Sequence, residues 1–118
     1  MKPIEKQADR LFSAFIKKRD GGCMAICKHG YPVELSCSGP LECAHLIRRG
    51  FKSIRWDPRN AVALCSRHHQ YFTDRPIAWR VWCDELRGEP VMRELLHKAY
   101  GLEKVDVAEI VEALKEAS

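Results

Sequence analysis

The chain has 118 residues, enough for one compact domain, and its 46% hydrophobic and 31% charged residues exclude a disordered protein. The net charge of +4 is uneven: residues 1–60 hold 12 Lys and Arg against 6 Asp and Glu, whereas residues 61–118 hold 8 against 10. No apolar run approaches the roughly 18 residues of a membrane helix, and the N-terminus lacks a signal-peptide pattern. We therefore expect a cytoplasmic protein without a membrane partner, in which the six cysteines are thiols or metal ligands rather than disulfides.

The chain begins with a predicted amphipathic helix and continues into an irregular segment. Apolar residues recur at helical spacing from Ile4 to Ile16, and Gly21 and Gly22 end this helix. Residues 23–44 hold four cysteines among glycines and prolines, a composition that predicts turns and short strands.

Two short strands and a helix are predicted next. Residues 41–47 favour a strand, residues 51–58 a loop, and residues 60–64 a second strand. Ser66 offers the N-cap of a helix that continues to about Phe72.

The last third of the chain predicts three amphipathic helices. Pro76 suits the first position of one helix, which Gly88 ends. Pro90 begins the next, which ends at Gly101, and Asp106 can cap the last. The aromatic and methionine side chains on these helices are interpreted as core packing.

Positive charge is concentrated between His45 and Arg67, where Asp57 is the single acid. The basic residues of this stretch are Arg48, Arg49, Lys52, Arg55, Arg59 and Arg67. A surface of this kind suits a phosphate backbone, although a solvated loop explains a charge run alone equally well.

Three elements in a fixed order carry the candidate chemistry. His45 lies in the first strand, within Cys-Ala-His-Leu-Ile-Arg-Arg, and Asn60 ends the loop that follows. The predicted helix then begins with Cys-x-x-His-His, which ends at His69. Such a strand, strand and helix arrangement allows His45 and His69 to face one cleft.

This order resembles the HNH (ββα-metal) endonuclease family, especially the small members encoded by phages and prophages. The strings AHLIRRG, RWDPRNAVALC and HHQYFT carry the resemblance, which covers a core of about residues 20–75. The helical tail of about residues 76–118 is also similar, though less specifically. The resemblance implies one α+β domain over residues 1–118, with a ββα-metal core flanked by an N-terminal helix and C-terminal amphipathic helices. It also implies metal-dependent hydrolysis of DNA phosphodiester bonds, by nicking or by double-strand cleavage.

The resemblance assigns a role to each member of the trio. His45 matches the general base, a role that suits a group titrating near neutral pH. His69 matches the ligand of a catalytic divalent ion, Mg²⁺ or Mn²⁺, which would stabilise the transition state and the leaving oxygen. Asn60 would hold the loop and His45 in place or help to ligate this ion. Arg49 matches a recurrent arginine that we expect to contact phosphate near the cut.

Ala44 departs from the family pattern, because many members carry an acidic metal ligand just before the base. The missing ligand could be Asp57, Asp74, water or a DNA phosphate, although Asp57 is better explained as the cap of the Asp-Pro turn. The same departure supports an alternative function, a zinc-ribbon DNA-binding module that has lost most or all catalysis.

A second, structural metal is implied by the cysteine pairs of the family. Cys65 and His68 would hold a Zn²⁺ ion together with Cys37 and either Cys23 or Cys27, and we favour Cys23. Such an ion would supply much of the stability of this region.

The other cysteines and histidines lack a motif. We interpret Cys43 and Cys83 as small buried hydrophobic residues, and His29 and His97 as surface residues. Trp56 is interpreted as a core anchor.

DNA is the implied partner, with the helix from Ser66 along its minor groove and the six basic residues between His45 and Arg67 following its backbone. A phage terminase is a further partner implied by the resemblance alone. A homodimer is expected if two strands are cut.

Overall fold

The computed structural model describes residues 1–27 and 35–118, apart from the side chains of Ile26 and Cys27. The helices and strands, in chain order, are α1 (Pro3–Asp20), α2 (Met24–Cys27), β1 (Leu41–His45), α3 (Lys52–Arg55), β2 (Ala61–Cys65), α4 (Ser66–Thr73), α5 (Pro76–Arg87), α6 (Glu89–Ala99) and α7 (Val107–Ala117). A short 3-10 turn, Pro58–Asn60, leads into β2. This is the α+β arrangement that the sequence predicts.

The two strands form one antiparallel sheet, in which His45 pairs with Ala61 and Leu41 with Cys65. This register places the end of β1, with His45, beside the start of β2, and it places the start of β1 beside the beginning of α4. The sheet and α4 together make the ββα unit on which the candidate site lies.

Strand β2 is buried along its whole length because both of its faces are covered. Alternate side chains of a strand point to opposite faces. Ala61 and Ala63 face a cluster formed mainly by α1 and α7, whereas Val62 and Leu64 face the larger cluster formed by the other helices. The first cluster includes Phe12, Ile16, Val111 and Leu114, and the second includes Ala44, Ile54, Phe72, Trp82 and Leu95. Helix α1 is therefore packed against β2, and α7 packs mainly against α1.

The loop between the strands is more ordered than the sequence predicts. It contains α3 and the 3-10 turn, and Asp57 caps this turn by accepting a hydrogen bond from the backbone N–H of Arg59 at 3.0 Å. The capping interpretation of Asp57 is thus confirmed. Short helices of this kind have no long apolar periodicity and are therefore difficult to predict.

The N-cap of α4 is Cys65, one residue before the predicted Ser66. The Cys65 sulfur accepts the backbone N–H of His68 at 3.4 Å, which is the interaction that the serine hydroxyl was expected to make. Ser66 instead donates its hydroxyl hydrogen to the carbonyl of Ser38 at 3.2 Å.

The three C-terminal helices begin and end close to the predicted residues. Pro76 lies in the first turn of α5, Gly88 follows its last residue, and Asp106 caps α7 by accepting the N–H of Ala108 at 3.0 Å. Within the described part of the chain, every helix is too short or too polar to cross a membrane.

Candidate active site and metal centre

A cleft of about 680 Å³ opens beside β1 and is lined by residues of α1, β1 and α4. Glu42, His45, Arg49 and His69 lie in its wall, together with Asp9, Arg10, Ser13 and Lys17 of α1. The fold therefore brings His45 and His69 to one cleft although they are 24 positions apart in the chain. The contribution of α1 to this cleft was not predicted from the sequence.

His45 is held by a hydrogen bond to the chain segment between the strands. Its Nε2 lies 2.8 Å from the carbonyl oxygen of Arg55. Because a carbonyl can only accept, Nε2 carries the hydrogen, and Nδ1 of the neutral ring keeps its lone pair. The backbone thus selects the tautomer in which Nδ1 is available as a base.

The surroundings of His45 keep the ring neutral. Burial lowers its pKa from the usual 6.5, against smaller opposing effects of the Arg55 carbonyl and the Asp9 carboxylate. Phe12 of α1 contributes to this burial, with its ring centroid 5.8 Å from that of His45. At neutral pH the histidine is therefore unprotonated, as a general base requires.

Asn60 is fully buried, and its amide is bonded to the backbone on both sides of the loop. The side-chain oxygen accepts the N–H of Ile47 at 2.8 Å, while the NH₂ group donates to the carbonyls of Ile47 at 2.9 Å and Ile54 at 3.2 Å. The amide thus ties the end of β1 to α3, immediately before Arg55, whose carbonyl holds His45.

His69 pairs with an acid that the sequence analysis missed. Its Nδ1 lies 2.8 Å from Oε1 of Glu42. Both side chains line the cleft, and they are 36% and 44% exposed, respectively. Strand alternation places positions 42 and 45 on opposite faces, so the spacing gave no reason to group Glu42 with His45. Within the described residues β1 pairs only with β2, so the other edge of β1 is open and a long side chain can reach round it.

The acidic residues that the sequence offers as ligands of the catalytic ion make contacts with other side chains. Ala44 is 1% exposed and packs in the core, so no side chain at this position faces the cleft. Asp57 is paired with Arg59 at 3.0 Å and with Lys98 at 3.5 Å, and Asp74 accepts a hydrogen bond from Gln70 at 3.0 Å.

Three cysteines and a histidine form a cluster at the start of α4, separate from the cleft. The ligand atoms of Cys23, Cys37, Cys65 and His68 all lie within 4.8 Å of one another. The sulfurs lie 3.5 Å, 3.7 Å and 3.0 Å, respectively, from Nδ1 of His68. In a tetrahedral zinc site, bonds of about 2.3 Å to sulfur and 2.0 Å to nitrogen place these atoms about 3.6 Å apart. The donor set and its spacing therefore suit a structural zinc ion.

Cys65 is prepared for metal ligation by its position at the start of α4. Burial alone would raise the pKa of this thiol, but hydrogen bonds from the backbone of His68 and Ser38, and then from the His68 side chain, lower the pKa to about 6. The side chain of Cys27, the alternative to Cys23, lies outside the described residues.

The central part of the chain is similar to a known protein family. Residues 23–78, just under half of the chain, match the family model described as HNH endonuclease. We call this segment the HNH domain, after the family model that it matches. No curated protein and no solved structure matches the chain.

The basic residues predicted to follow DNA lie in different environments around the HNH domain. Arg48, Arg49 and Arg67 are exposed. Lys52 is also exposed but is paired with Glu5 at 2.7 Å, and Arg59 is paired with Asp57 and Glu94 at 3.0 Å each. Arg49 lies 3.7 Å from Asp9, so Arg48 and Arg67 are the exposed members of the set without an ion pair to the residues that the structure describes.

Arg55 of the HNH domain is buried rather than exposed. Its side chain is 7% exposed, its Nε donates to Asp9 at 2.9 Å, and its guanidinium lies over the ring of Trp56. A phosphate contact through this side chain does not fit this environment. Arg55 instead anchors the segment that holds His45, while Trp56 is 4% exposed and packs in the core as predicted.

Cys43 and Cys83 lie outside the cluster of Cys23, Cys37, Cys65 and His68, although Cys43 lines the cleft. Cys83 is buried, Cys43 is half-buried, and burial raises the pKa of the first to about 12 and of the second to about 11. His97 is exposed, and His29 lies outside the described residues.

Proposed function

We propose that the protein is a metal-dependent DNA endonuclease. The observation that carries this proposal is the cleft of the HNH domain, which is lined both by a neutral histidine whose Nδ1 keeps its lone pair and by a histidine and carboxylate pair. Phosphodiester hydrolysis needs an activated water and neutralisation of charge at the phosphate, and these groups can supply both.

His45 would act as the general base through Nδ1. The hydrogen bond from Nε2 to the Arg55 carbonyl orients the ring and stabilises the positive charge that it gains with the proton of water. Asn60 would act as a positioning residue and not as a metal ligand, because its side-chain oxygen is buried and already bonded to the N–H of Ile47.

His69 and Glu42 would hold the catalytic divalent ion, Mg²⁺ or Mn²⁺. Adjacent ligands of an octahedral ion with bonds of 2.0–2.1 Å lie about 3.0 Å apart, close to the 2.8 Å between His69 Nδ1 and Glu42 Oε1. Glu42 therefore offers the carboxylate that Ala44 cannot. When bound, the ion would stabilise charge on the phosphate and on the leaving oxygen.

DNA contacts are proposed for the exposed cations of the HNH domain. Arg49 lies in the cleft wall, Arg48 precedes it, and Arg67 lies at the start of α4. Such contacts position the duplex but carry no sequence information. A phage origin, a terminase partner and a homodimer rest on the family resemblance alone and stay predictions.

Nicking of supercoiled plasmid in Mg²⁺ or Mn²⁺ tests the proposed activity. We expect the wild-type protein to nick the plasmid and His45→Ala to reduce the rate at least about 100-fold, the usual contribution of a general base. His97→Ala removes an exposed histidine outside the cleft and serves as the matched control, with an unchanged rate. Equal rates for wild type and His45→Ala would refute the assignment of the base.

Metal binding separates the endonuclease from a catalytically inactive DNA-binding module. With the structural zinc in place, Mn²⁺ titration followed by electron paramagnetic resonance should show one site in the wild type. Glu42→Gln and His69→Ala should each weaken it at least tenfold, whereas Glu116→Gln, at an exposed position of α7, should not. DNA binding without Mn²⁺ binding or nicking would favour the inactive module.

A further inference from the structure

The acids of helix α1 all have partners within the protein, whereas several of its cations do not. Glu5 pairs with Lys52 at 2.7 Å, Asp9, which also lines the cleft, binds Arg55, and Asp20 accepts the backbone N–H of Ala63 at 2.8 Å. Among its cations, Arg19 pairs with Asp20 at 2.8 Å, whereas Lys6, Arg10 and Lys17 make no ion pair with the residues that the structure describes. The positive charge of this helix is therefore left available.

These cations lie on one face of the helix, beside the candidate active site. Lys6, Arg10, Ser13 and Lys17, which we call the α1 basic face, follow one another at intervals of four, three and four residues, the spacing of one helical stripe. Arg10, Ser13 and Lys17 line the cleft that contains His45 and His69, and Lys6 lies with Arg10 in the adjoining hollow. The stripe thus begins outside the cleft and continues into it.

The length and chemistry of the stripe suit a nucleic-acid backbone. A helix rises about 1.5 Å per residue, so the stripe extends for roughly 16 Å, which corresponds to about five steps of a DNA strand at 3.4 Å each. Lysine and arginine contact phosphate as cations, and a serine hydroxyl is a further phosphate donor.

We propose that the α1 basic face binds the phosphate backbone of the duplex that is cut in the cleft. This inference rests on the proposed endonuclease function and extends the DNA-binding surface beyond residues 23–78, because α1 lies outside the segment that matches the HNH family. The duplex would then contact α1 as well as the arginines of the HNH domain.

DNA binding at several salt concentrations tests this proposal. The triple variant Lys6→Gln/Arg10→Gln/Lys17→Gln is combined with His45→Ala, so that the duplex is not cut, and binding to a fluorescent 20-base-pair duplex is measured by anisotropy. The control triple variant, Arg80→Gln/Arg93→Gln/Lys115→Gln, removes the same charge from exposed positions outside the cleft. Circular dichroism checks that each variant is folded.

The logarithm of the association constant falls linearly with the logarithm of the salt concentration. Loss of three phosphate contacts should make this slope about 2.7 less steep and should weaken binding roughly 10- to 100-fold at 0.1 M salt. The control triple variant should change the steepness of this slope by less than one. The charge-preserving variant Lys6→Arg/Arg10→Lys/Lys17→Arg should bind as the wild type does.

An α1 variant that binds with the slope and affinity of the control would overturn the inference. Plasmid nicking by the wild type in that case would leave the endonuclease proposal intact. A wild type that neither binds nor cuts DNA would overturn both.

Discussion

The backbone carbonyl of Arg55 accepts the Nε2 hydrogen of His45 at 2.8 Å, while the side chain of Arg55 is anchored to Asp9 of α1. One residue thus fixes the tautomer of the proposed base and links it to a helix outside the HNH domain. The contact to His45 uses the backbone carbonyl of Arg55. The Arg55 side chain therefore affects His45 only indirectly, by anchoring the position of this carbonyl.

The activity is expected to depend on pH through His45. Burial lowers the pKa of this histidine below 6.5, so the ring is neutral and basic at pH 7 and becomes protonated only as the pH falls through the lowered value. The nicking rate at saturating Mn²⁺ should therefore be nearly constant from pH 7 to 8 and should fall on an acid limb centred below pH 6.5. An acid limb centred above pH 7 would contradict the neutral environment described for His45.

Loss of the zinc cluster should destabilise the fold. Cys65→Ser removes a ligand whose thiol pKa is already lowered to about 6, and we expect it to cost at least about 3 kcal/mol, or a decrease in Tm of roughly 10 °C or more. Cys43→Ser is the control, because Cys43 is half-buried but lies outside the cluster. Elemental analysis should find about one zinc per chain in wild type and control, and far less in Cys65→Ser. A Cys65→Ser protein that keeps its zinc and its Tm would refute the assignment.

Gly39 should tolerate no side chain, because it approaches the first residue of α4. Its φ is +84°, and a Cβ at this position would lie 1.9 Å from Oγ and 3.2 Å from Cβ of Ser66. Gly21→Ala is the matched control, since Gly21 has a φ of +71° but no atom within 4 Å of an added Cβ. Both variants incur the backbone strain of about 1–2 kcal/mol.

We expect Gly39→Ala to lose about 2 kcal/mol more than Gly21→Ala in urea unfolding. In a Ser66→Ala background the Oγ clash is absent, so most of this difference should disappear. An equal cost of Gly39→Ala in both backgrounds would show that the contact with Ser66 is not responsible.

The sequence predicts those parts of the site that depend on short spacing. Cys65 and His68 are three residues apart at the start of a helix, so their side chains converge whatever the rest of the fold does. Likewise, His45 and Asn60 lie in strings that resemble the family when they are taken together and in order. Helix boundaries follow from Pro76, Gly88 and Asp106 because capping is local chemistry.

Contacts between distant residues were not predictable in this way. Arg55 and Asp9 are 46 positions apart, and Glu42 and His69 are 27 apart, so only the tertiary fold brings each pair together. A basic stretch in the sequence also does not distinguish an exposed arginine such as Arg49 from the buried Arg55. Asp9 of α1 lies near both arginines, but only Arg55 donates hydrogen bonds to it and packs over Trp56, and these contacts depend on the tertiary fold.

Asp9 is expected to act on catalysis through Arg55. Asp9→Asn leaves the Arg55 guanidinium buried without its counter-charge, which should cost about 1–3 kcal/mol of stability and lower the nicking rate about tenfold. Because the Asp9 carboxylate raises the pKa of His45, its neutralisation should also move the acid limb of the pH profile to lower pH.

Glu5→Gln is the control, since Glu5 lies one turn earlier in α1, is buried, and pairs with Lys52 rather than with Arg55. It should leave the pH profile unchanged even if it costs stability. A loss of stability in Asp9→Asn with an unmoved acid limb and an unchanged nicking rate would reduce the role of Asp9 to packing. If the acid limb moves in Asp9→Asn but not in Glu5→Gln, helix α1, outside the HNH domain, is established as an influence on the pKa of His45.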